Sequence, residues 1–310
     1  MALPSNRIWL RSSYLVGLER TDLERIYVEI YVYTGALTTD KPAQPQYTLE
    51  STAFINQSTG DKRADVDIAP YVRDFVEIAY SGSFVTNAVW VEYDLYYADD
   101  GDTAFTQSGT TVQLTGLYGY GFYEDGKNPT LSETTLLSSN FVIVPEGEDA
   151  TIPVLQDYLT GVYLYEEPDV TLGTGSLTLI DSDTTMTTTE NTANVVYYAS
   201  SSTGLGTPTQ MRLTFSGGRD DRRIRIIYKP ECTHPPIKLT FVNRFGALQD
   251  FWCFAASRQS LNVTDTEYKG NVLSGGTYTT TKHQYKTINK NGRGTVQVNT
   301  DWYPERANAT

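Results

Sequence analysis

A chain of 310 residues that is 39% hydrophobic and only 20% charged is too apolar to stay disordered and long enough for two or three domains, each with its own core. Its formal charge of −13 excludes a phosphate-tracking surface, which needs clustered Lys and Arg, so no nucleic-acid partner is expected. No run approaches the roughly 18 apolar residues of a membrane helix, and the arginine-studded N-terminus lacks a secretory core, which predicts folding in the cytoplasm without membrane insertion.

Tyrosine (23) and glycine (24) are abundant, threonine recurs throughout and methionine (3) is scarce. β-branched and aromatic side chains suit a pleated surface and glycine supplies turns, so the composition predicts an all-β protein. "RIYVEIYVYTG" (25–35) sets Ile26, Val28, Ile30 and Val32 against Tyr27, Glu29, Tyr31 and Tyr33, the period of a strand with one buried face. "DVDIAPYVRDFVEIAY" (65–80) changes period: Ile68, Val72, Phe75, Val76 and Ala79 recur at helical spacing. Pro70 suits a first turn and Asp67 a nearby cap, which predicts one short helix over 68–79. "NAVWVEYDLYY" (87–97) returns to alternation, and "ADDGD" (98–102) closes a hairpin. Asp99, Asp100 and Asp102 are candidate calcium ligands there. The spacing and terminal glutamate of an EF-hand are missing, so the loop reads as a plain turn and no metal is assigned.

"LTGLYGYGFYEDGKNP" (114–129) crowds glycines and aromatics. Gly119 and Gly121 lack a third glycine at 124, so this is no dinucleotide loop, and no cofactor is predicted. Tyr118, Tyr120 and Tyr123 are candidates for stacking on a sugar ring, and equally for a domain interface. "NFVIVP" (140–145) ends a first domain, 1–145, and the acidic run "PEGEDATIPV" (145–154) is a hinge. A second sandwich, 146–230, takes its strands from "GVYLYEE", "GSLTLID", "ANVVYYAS", "QMRLTFSG" and "RIRIIYK". "RDDRRIR" (219–225) reads as a solvated strand flank rather than an anion site, and "DSDTTMTTTENT" (181–192) as a loop or polar edge strand.

A third domain, 231–310, follows the proline-rich "PECTHPP" (230–236). In "IKLTFVNRFGALQDFWCFAAS" (237–257) two apolar arms flank a turn at Gly246, and both faces of the return arm are largely apolar. Such a strand lies in a core or faces a partner. Asn243 and Arg244, presented at the tip, and Phe245, Trp252 and Phe254 are therefore the interface candidates. Cys232 and Cys253 do not make a disulfide framework and are expected as free thiols, Cys253 packed as a small hydrophobe. With His234 in a linker and His283 in an exposed strand, no catalytic residue is assigned. The four cysteines and histidines also lack the close pair spacing of a zinc site.

At these residues the chain resembles a family. "YKPECTHPPIKLTFVNRFGALQDFWCF", then "SLNVTDTEYKGNVL" and "VQVNTDWYPE", are similar to a module of tailed-bacteriophage virion proteins, structural or tail-associated, of marine and Bacteroidetes phages. There a strand, an Asn-x-x-Gly turn and an aromatic return strand precede an Asn-Thr-x-Trp segment. "IYVEIYVYTG", "DIAPYVRDFVE" and "GYGFYEDG" extend the likeness to the N-terminal half. The resemblance implies a non-enzymatic structural part of a virion, in the tail, neck, baseplate or fibre attachment, assembled in the host cytoplasm. Its implied partners are other virion proteins and copies of itself. In such relatives a further amphipathic stretch follows the Asn-Thr-x-Trp segment, which leaves two readings of the C-terminal segment: a domain complete in itself, or one that finishes its fold against a partner subunit. The alternative is a receptor- or carbohydrate-binding module whose ligand is a host surface glycan. The fold expected is two or three tandem antiparallel β-sandwich domains, Ig-like or jelly-roll-like, with one short helix.

Overall fold

The alternation at 25–33 becomes the centre of a sandwich: Ile26, Val28 and Ile30 are fully buried while Tyr27, Glu29 and Tyr31 stay half-buried on the other face. The computed structural model describes residues 7–35, 37, 39–81, 83–128, 135–155, 159–166, 178–183, 195–200, 209–215, 220–230, 233–270, 276–277, 281 and 283–300. As expected, the chain is all-β, built of largely antiparallel sheets.

Along the chain run β1 (Arg7–Trp9), β2 (Leu15–Arg20), β3 (Leu23–Tyr33), β4 (Tyr47–Thr52), β5 (Phe54–Ile55) and β6 (Lys62–Asp67), then α1 (Ala69–Arg73). They are followed by β7 (Ile78–Tyr80), β8 (Phe84–Thr86), β9 (Val89–Asp99), β10 (Thr106–Gln107) and β11 (Val112–Leu117). One layer has the order β1-β11-β9-β3-β4, with β10 also on β9, and the facing layer is β2-β6-β5. Ile8, Val16, Ile26, Val28, Ile30, Ala64, Val91 and Leu114 fill the space between them. The helix is shorter than the expected 68–79. Asp67 Oδ1 accepts the N–H of Ala69 at 3.1 Å and Pro70 stands in the first turn, as read from the sequence. After Arg73, however, the chain leaves the helix, and Ala79 lies in β7, paired with Val85 of β8. Phe75 and Val76 donate their N–H groups back to Val72 O (3.1 Å) and Arg73 O (3.2 Å) in a last turn, and the hairpin takes over at Ile78.

The second sandwich comprises β12 (Phe141–Pro145), β13 (Thr151–Leu155), β14 (Leu159–Glu166), β15 (Thr178–Asp183), β16 (Val195–Ala199), β17 (Gln210–Phe215) and β18 (Arg222–Lys229). Its sheets are β12-β18-β17-β14-β15 and β13-β16. All five strands expected in 146–230 form, but the boundary at 145 does not hold. Phe141–Pro145 pairs with Arg225–Lys229, so the strand expected to close the first domain is an edge of the second sheet. The pairings β1·β11 and β12·β18 are parallel, exceptions to the antiparallel expectation. Each sandwich thus opens with a strand that runs parallel to its own last strand. The Thr-rich piece at 181–192 falls mostly outside the described residues.

Between them the two sandwiches share a second core of Trp9, Tyr33, Trp90, Leu117, Leu136, Leu155 and Val195, which Phe245 and Ala247 complete. Consistent with that shared core, residues 1–230 and 239–251 form one compact unit rather than two domains. The other unit is 231–238 with 252–303. Next in the chain come β19 (Ile237–Val242), β20 (Leu248–Cys253), β21 (Ala255–Lys269) and β22 (Tyr285–Asn299). β19 pairs with β20 as the sequence predicts, and β21 pairs with β22 in a two-stranded ribbon of 15 residues per strand.

Candidate functional site

The two stretches singled out separately in the sequence, 118–122 and 243–247, meet. Past the end of β1, Arg11 donates its N–H to Gly119 O at 2.9 Å, and Gly121 donates its N–H to Ser12 Oγ at 2.9 Å, so residues 117–121 track residues 10–12. The turn after β19 then lies on this pair, with the Tyr120 N–H donating to Arg244 O at 2.8 Å. The close approach depends on two glycines. Gly246 has φ +79°, and a Cβ there would stand 2.4 Å from the Tyr118 carbonyl carbon, while a Cβ on Gly119 would overlap the Trp9 ring and lie 2.6 Å from Arg244 O.

Asn243 organises the turn. Its Oδ1 accepts the N–H groups of Phe245 (3.0 Å) and Ala247 (3.1 Å), and its Nδ2 donates to Leu136 O (2.6 Å) and Gln249 Oε1 (3.0 Å). This corrects the expectation of tip residues presented for contact. Asn243 is 3% exposed and Phe245 5%, because the Phe245 ring completes the chain's own core and the Asn243 amide is taken up by its own turn; Trp252 is 7% exposed. Arg244 and Phe254 are half-buried. The apolar pattern of the return arm was legible, but whether it meets its own chain or a partner was not.

An aromatic seam runs along the contact. Trp9 and Phe245 have ring centroids 5.9 Å apart, and Tyr120 and Phe122 meet edge-on at 5.4 Å. The Arg11 guanidinium lies over Tyr120 at 5.1 Å and Tyr118 at 5.8 Å, and Arg244 lies over Phe122 at 4.8 Å. Tyr118 and Tyr120 are half-buried. Tyr123 opens a 3-10 turn, Tyr123–Asp125, and its side chain lies outside the described structure. Phe122, not among the candidates, is exposed and borders a cleft of about 750 Å³ with Ser12, Glu124, Lys127 and Asn128.

Lys127 on the rim of that cleft reaches Asp65 at 3.3 Å, which Arg63 also holds through Nε at 2.5 Å. Burial pushes the Asp65 carboxyl up, but Arg63 and Lys127 outweigh it, so its pKa lies below the ordinary value. A depressed folded-state pKa stabilises the fold above the unfolded value, about 4, and the contribution is lost as pH falls through the folded value. Asp65→Asn is therefore expected to flatten the fall in Tm between about pH 5 and pH 2. An unchanged profile would show that these contacts do not form in solution.

The outward face of the first sandwich carries polar groups whose meeting no short stretch reveals. The hydroxyls of Tyr27, Tyr31 and Tyr96 donate to Glu29 at 3.3–3.4 Å. Burial and then the Glu29 charge push Tyr31 up to about 12. Buried Glu92 accepts from Tyr33 (2.5 Å), Lys41 (2.6 Å) and Gln113 (2.8 Å). The alternating Tyr and Glu of "YVEIYVY" showed one polar face, but the strand register brings the partners together.

At the other end of β9, Asp99–Asp102 forms the expected turn, with Gly101 at φ +87° and the Asp102 N–H on Asp99 O at 2.9 Å. Asp99 receives Arg20 at 3.0 Å and Asp100 receives Lys62 at 2.6 Å. Their carboxylates are thus drawn to cations of the neighbouring layer, and among the described residues no three His, Cys, Asp or Glu are grouped to hold a metal. His234 and His283 are exposed, Cys253 is a buried free thiol whose pKa burial pushes up, and Cys232 and Trp302 lie outside the described residues. No described helix is long and apolar enough to cross a membrane.

No family model matches the chain, and no curated protein matches it. Among solved structures it is similar to the CsuC–CsuE chaperone–tip adhesion subunit pre-assembly complex from archaic chaperone-usher Csu pili of Acinetobacter baumannii. That likeness is at 10% identity over 70% of this chain and 92% of that one, with a TM-score of 0.22. It is also similar to a marsupial T cell receptor, at 9% identity over 93% of each chain, with a TM-score of 0.19. At such scores neither likeness carries an argument about this chain.

Proposed function

We propose that this chain is a structural component of a bacteriophage particle, in the tail, neck, baseplate or fibre attachment, working through interfaces with other particle proteins and with copies of itself. The observation that carries the reading is the ribbon β21–β22. Fifteen residues per strand, exposed along nearly their whole length, give a ribbon about 45–50 Å long. Among the described residues neither strand is paired on its outer edge, and edges of that length are a liability in an isolated protein and an asset in an assembly. The resemblance of 228–254 and 260–273 to tailed-phage virion proteins supplies the kind of particle. The reading assigns no catalytic residue, cofactor or metal.

The test is the protein content of gradient-purified particles of the phage that encodes the chain. Its recovery in particles at a fixed ratio to the other structural proteins supports the reading. Its confinement to the soluble lysate removes it.

A second reading, a module that binds a host surface glycan, is favoured by one observation, the cleft beside Phe122. An exposed ring flanked by Ser12, Lys127 and Asn128 pairs a stacking face with hydrogen-bonding side chains. On that reading, Phe122→Ala lowers affinity for the glycan at least tenfold, about 1.4 kcal/mol or more, while the fold persists. Flat tyrosine and tryptophan fluorescence of the unsubstituted protein across a host-glycan panel removes it.

A further inference from the structure

Side chains alternate along the ribbon, so its register fixes what each face carries. On one face Ser260, Asn262 and Thr264 stand opposite Thr295, Arg293 and Asn291, which suits water. On the other, Leu261 is opposite Gly294, Val263 opposite Gly292, and Val296 opposite Gln259. Leu261 is 68% exposed, and Val263 and Val296 are each 56% exposed. A lone two-stranded ribbon is marginal in water, and an uncovered apolar strip makes it more so.

We propose that a second copy of this chain covers that strip, ribbon against ribbon about a two-fold axis. The face is its own complement. Leu261 and Val263 each stand beside a bare stretch of backbone: nothing lies within 4 Å of a Cβ placed on Gly294, and only Leu261 Cδ1, at 3.5 Å, lies near one on Gly292. Glycines inside a strand weaken it and mark close approach by another backbone or side chain. A two-fold axis lays Leu261 and Val263 of each copy over the glycines of the other. Asp265 and Lys290, opposite one another on the same face, add charges of both signs that can pair across the axis.

This inference deepens the assembly reading and rests on it only in taking self-association as one of its modes. The test is the native mass of the full chain across a tenfold concentration range, for the unsubstituted protein, Gly294→Val, Leu261→Ser and the polar-face control Asn262→Ser. Gly294→Val places a strand-favouring side chain in open space, so it does not weaken the ribbon of a single copy. It does fill the recess the second copy needs. The expected result is a self-associated native protein, with dissociation constants at least tenfold higher for Gly294→Val and Leu261→Ser and unchanged within twofold for Asn262→Ser. A native protein that stays monomeric overturns the proposal, as does undiminished association of Gly294→Val and Leu261→Ser. Monomeric protein in solution together with its recovery in purified particles would remove the ribbon contact and leave the virion reading standing.

Discussion

Asn243→Ala is expected to destabilise the fold by about 3–5 kcal/mol, because it strands the buried N–H groups of Phe245 and Ala247 and the carbonyl of Leu136 at once. Each orphaned group costs about 1–3 kcal/mol, and the total falls short of their sum because neighbouring effects are not additive. Asn243→Asp separates the two halves of the side chain. It keeps the acceptor that holds the turn but points a carboxylate at Leu136 O and Gln249 Oε1, so it is expected to be the worse variant at neutral pH and to recover in part on acidification, when a donor returns. Urea unfolding followed by tryptophan fluorescence at pH 7 and pH 5 measures both. A loss below 1 kcal/mol for the alanine variant would mean that the turn does not depend on this amide.

Gly246→Ala is expected to cost about 3–5 kcal/mol, from two causes that add. The left-handed backbone at φ +79° disfavours any side chain, and the added methyl would meet the backbone of Tyr118 and Gly119, which has no rotamer by which to move aside. If the tip separates instead of straining, protease cleavage within 114–129 becomes faster, since the segment loses its cover. Gly119→Ala strikes the same contact from the other side, so the double variant should cost less than the sum of the two. A Gly246→Ala protein melting within 2 °C of the unsubstituted chain, with unaltered proteolysis, would sink this account of the seam.

Elements with one dry face were legible in the sequence because burial on one side writes a period of two, as in Ile26, Val28, Ile30 and Val32. The helical spacing outlasts the helix because Val76 still packs on the same core as Val72, and only the pairing of 78–80 with 84–86, which no local pattern shows, puts Ala79 in a strand. The boundary at 145 failed for a similar reason. A hinge-like composition says nothing of which sheet the strand before it joins, and the partner of 141–145 arrives only at 225–229. The site shows the same limit. The turn and the aromatic loop each stood out, but their meeting is set by contacts such as Asn243 to Leu136, 107 residues apart. Leu261 and Val263 look in sequence like any strand's core residues, and only the register of the ribbon sets them on an exposed face.

The seam also has a consequence in time. Residue 246 leaves the ribosome about 6–25 s after residue 119 at ordinary synthesis rates, so the first sandwich waits that long with its part of the shared core uncovered. Trp9 and Leu117, deeply buried in the finished chain, lack the cover of Phe245 and Ala247 through that interval, and Leu136 joins them once it is made. Pairings between distant segments form slowly once synthesis is complete, so joining the hairpin tip to the aromatic loop is a late event on the folding path. The nascent chain therefore has a defined window for chaperone capture, which closes when the turn at Gly246 arrives.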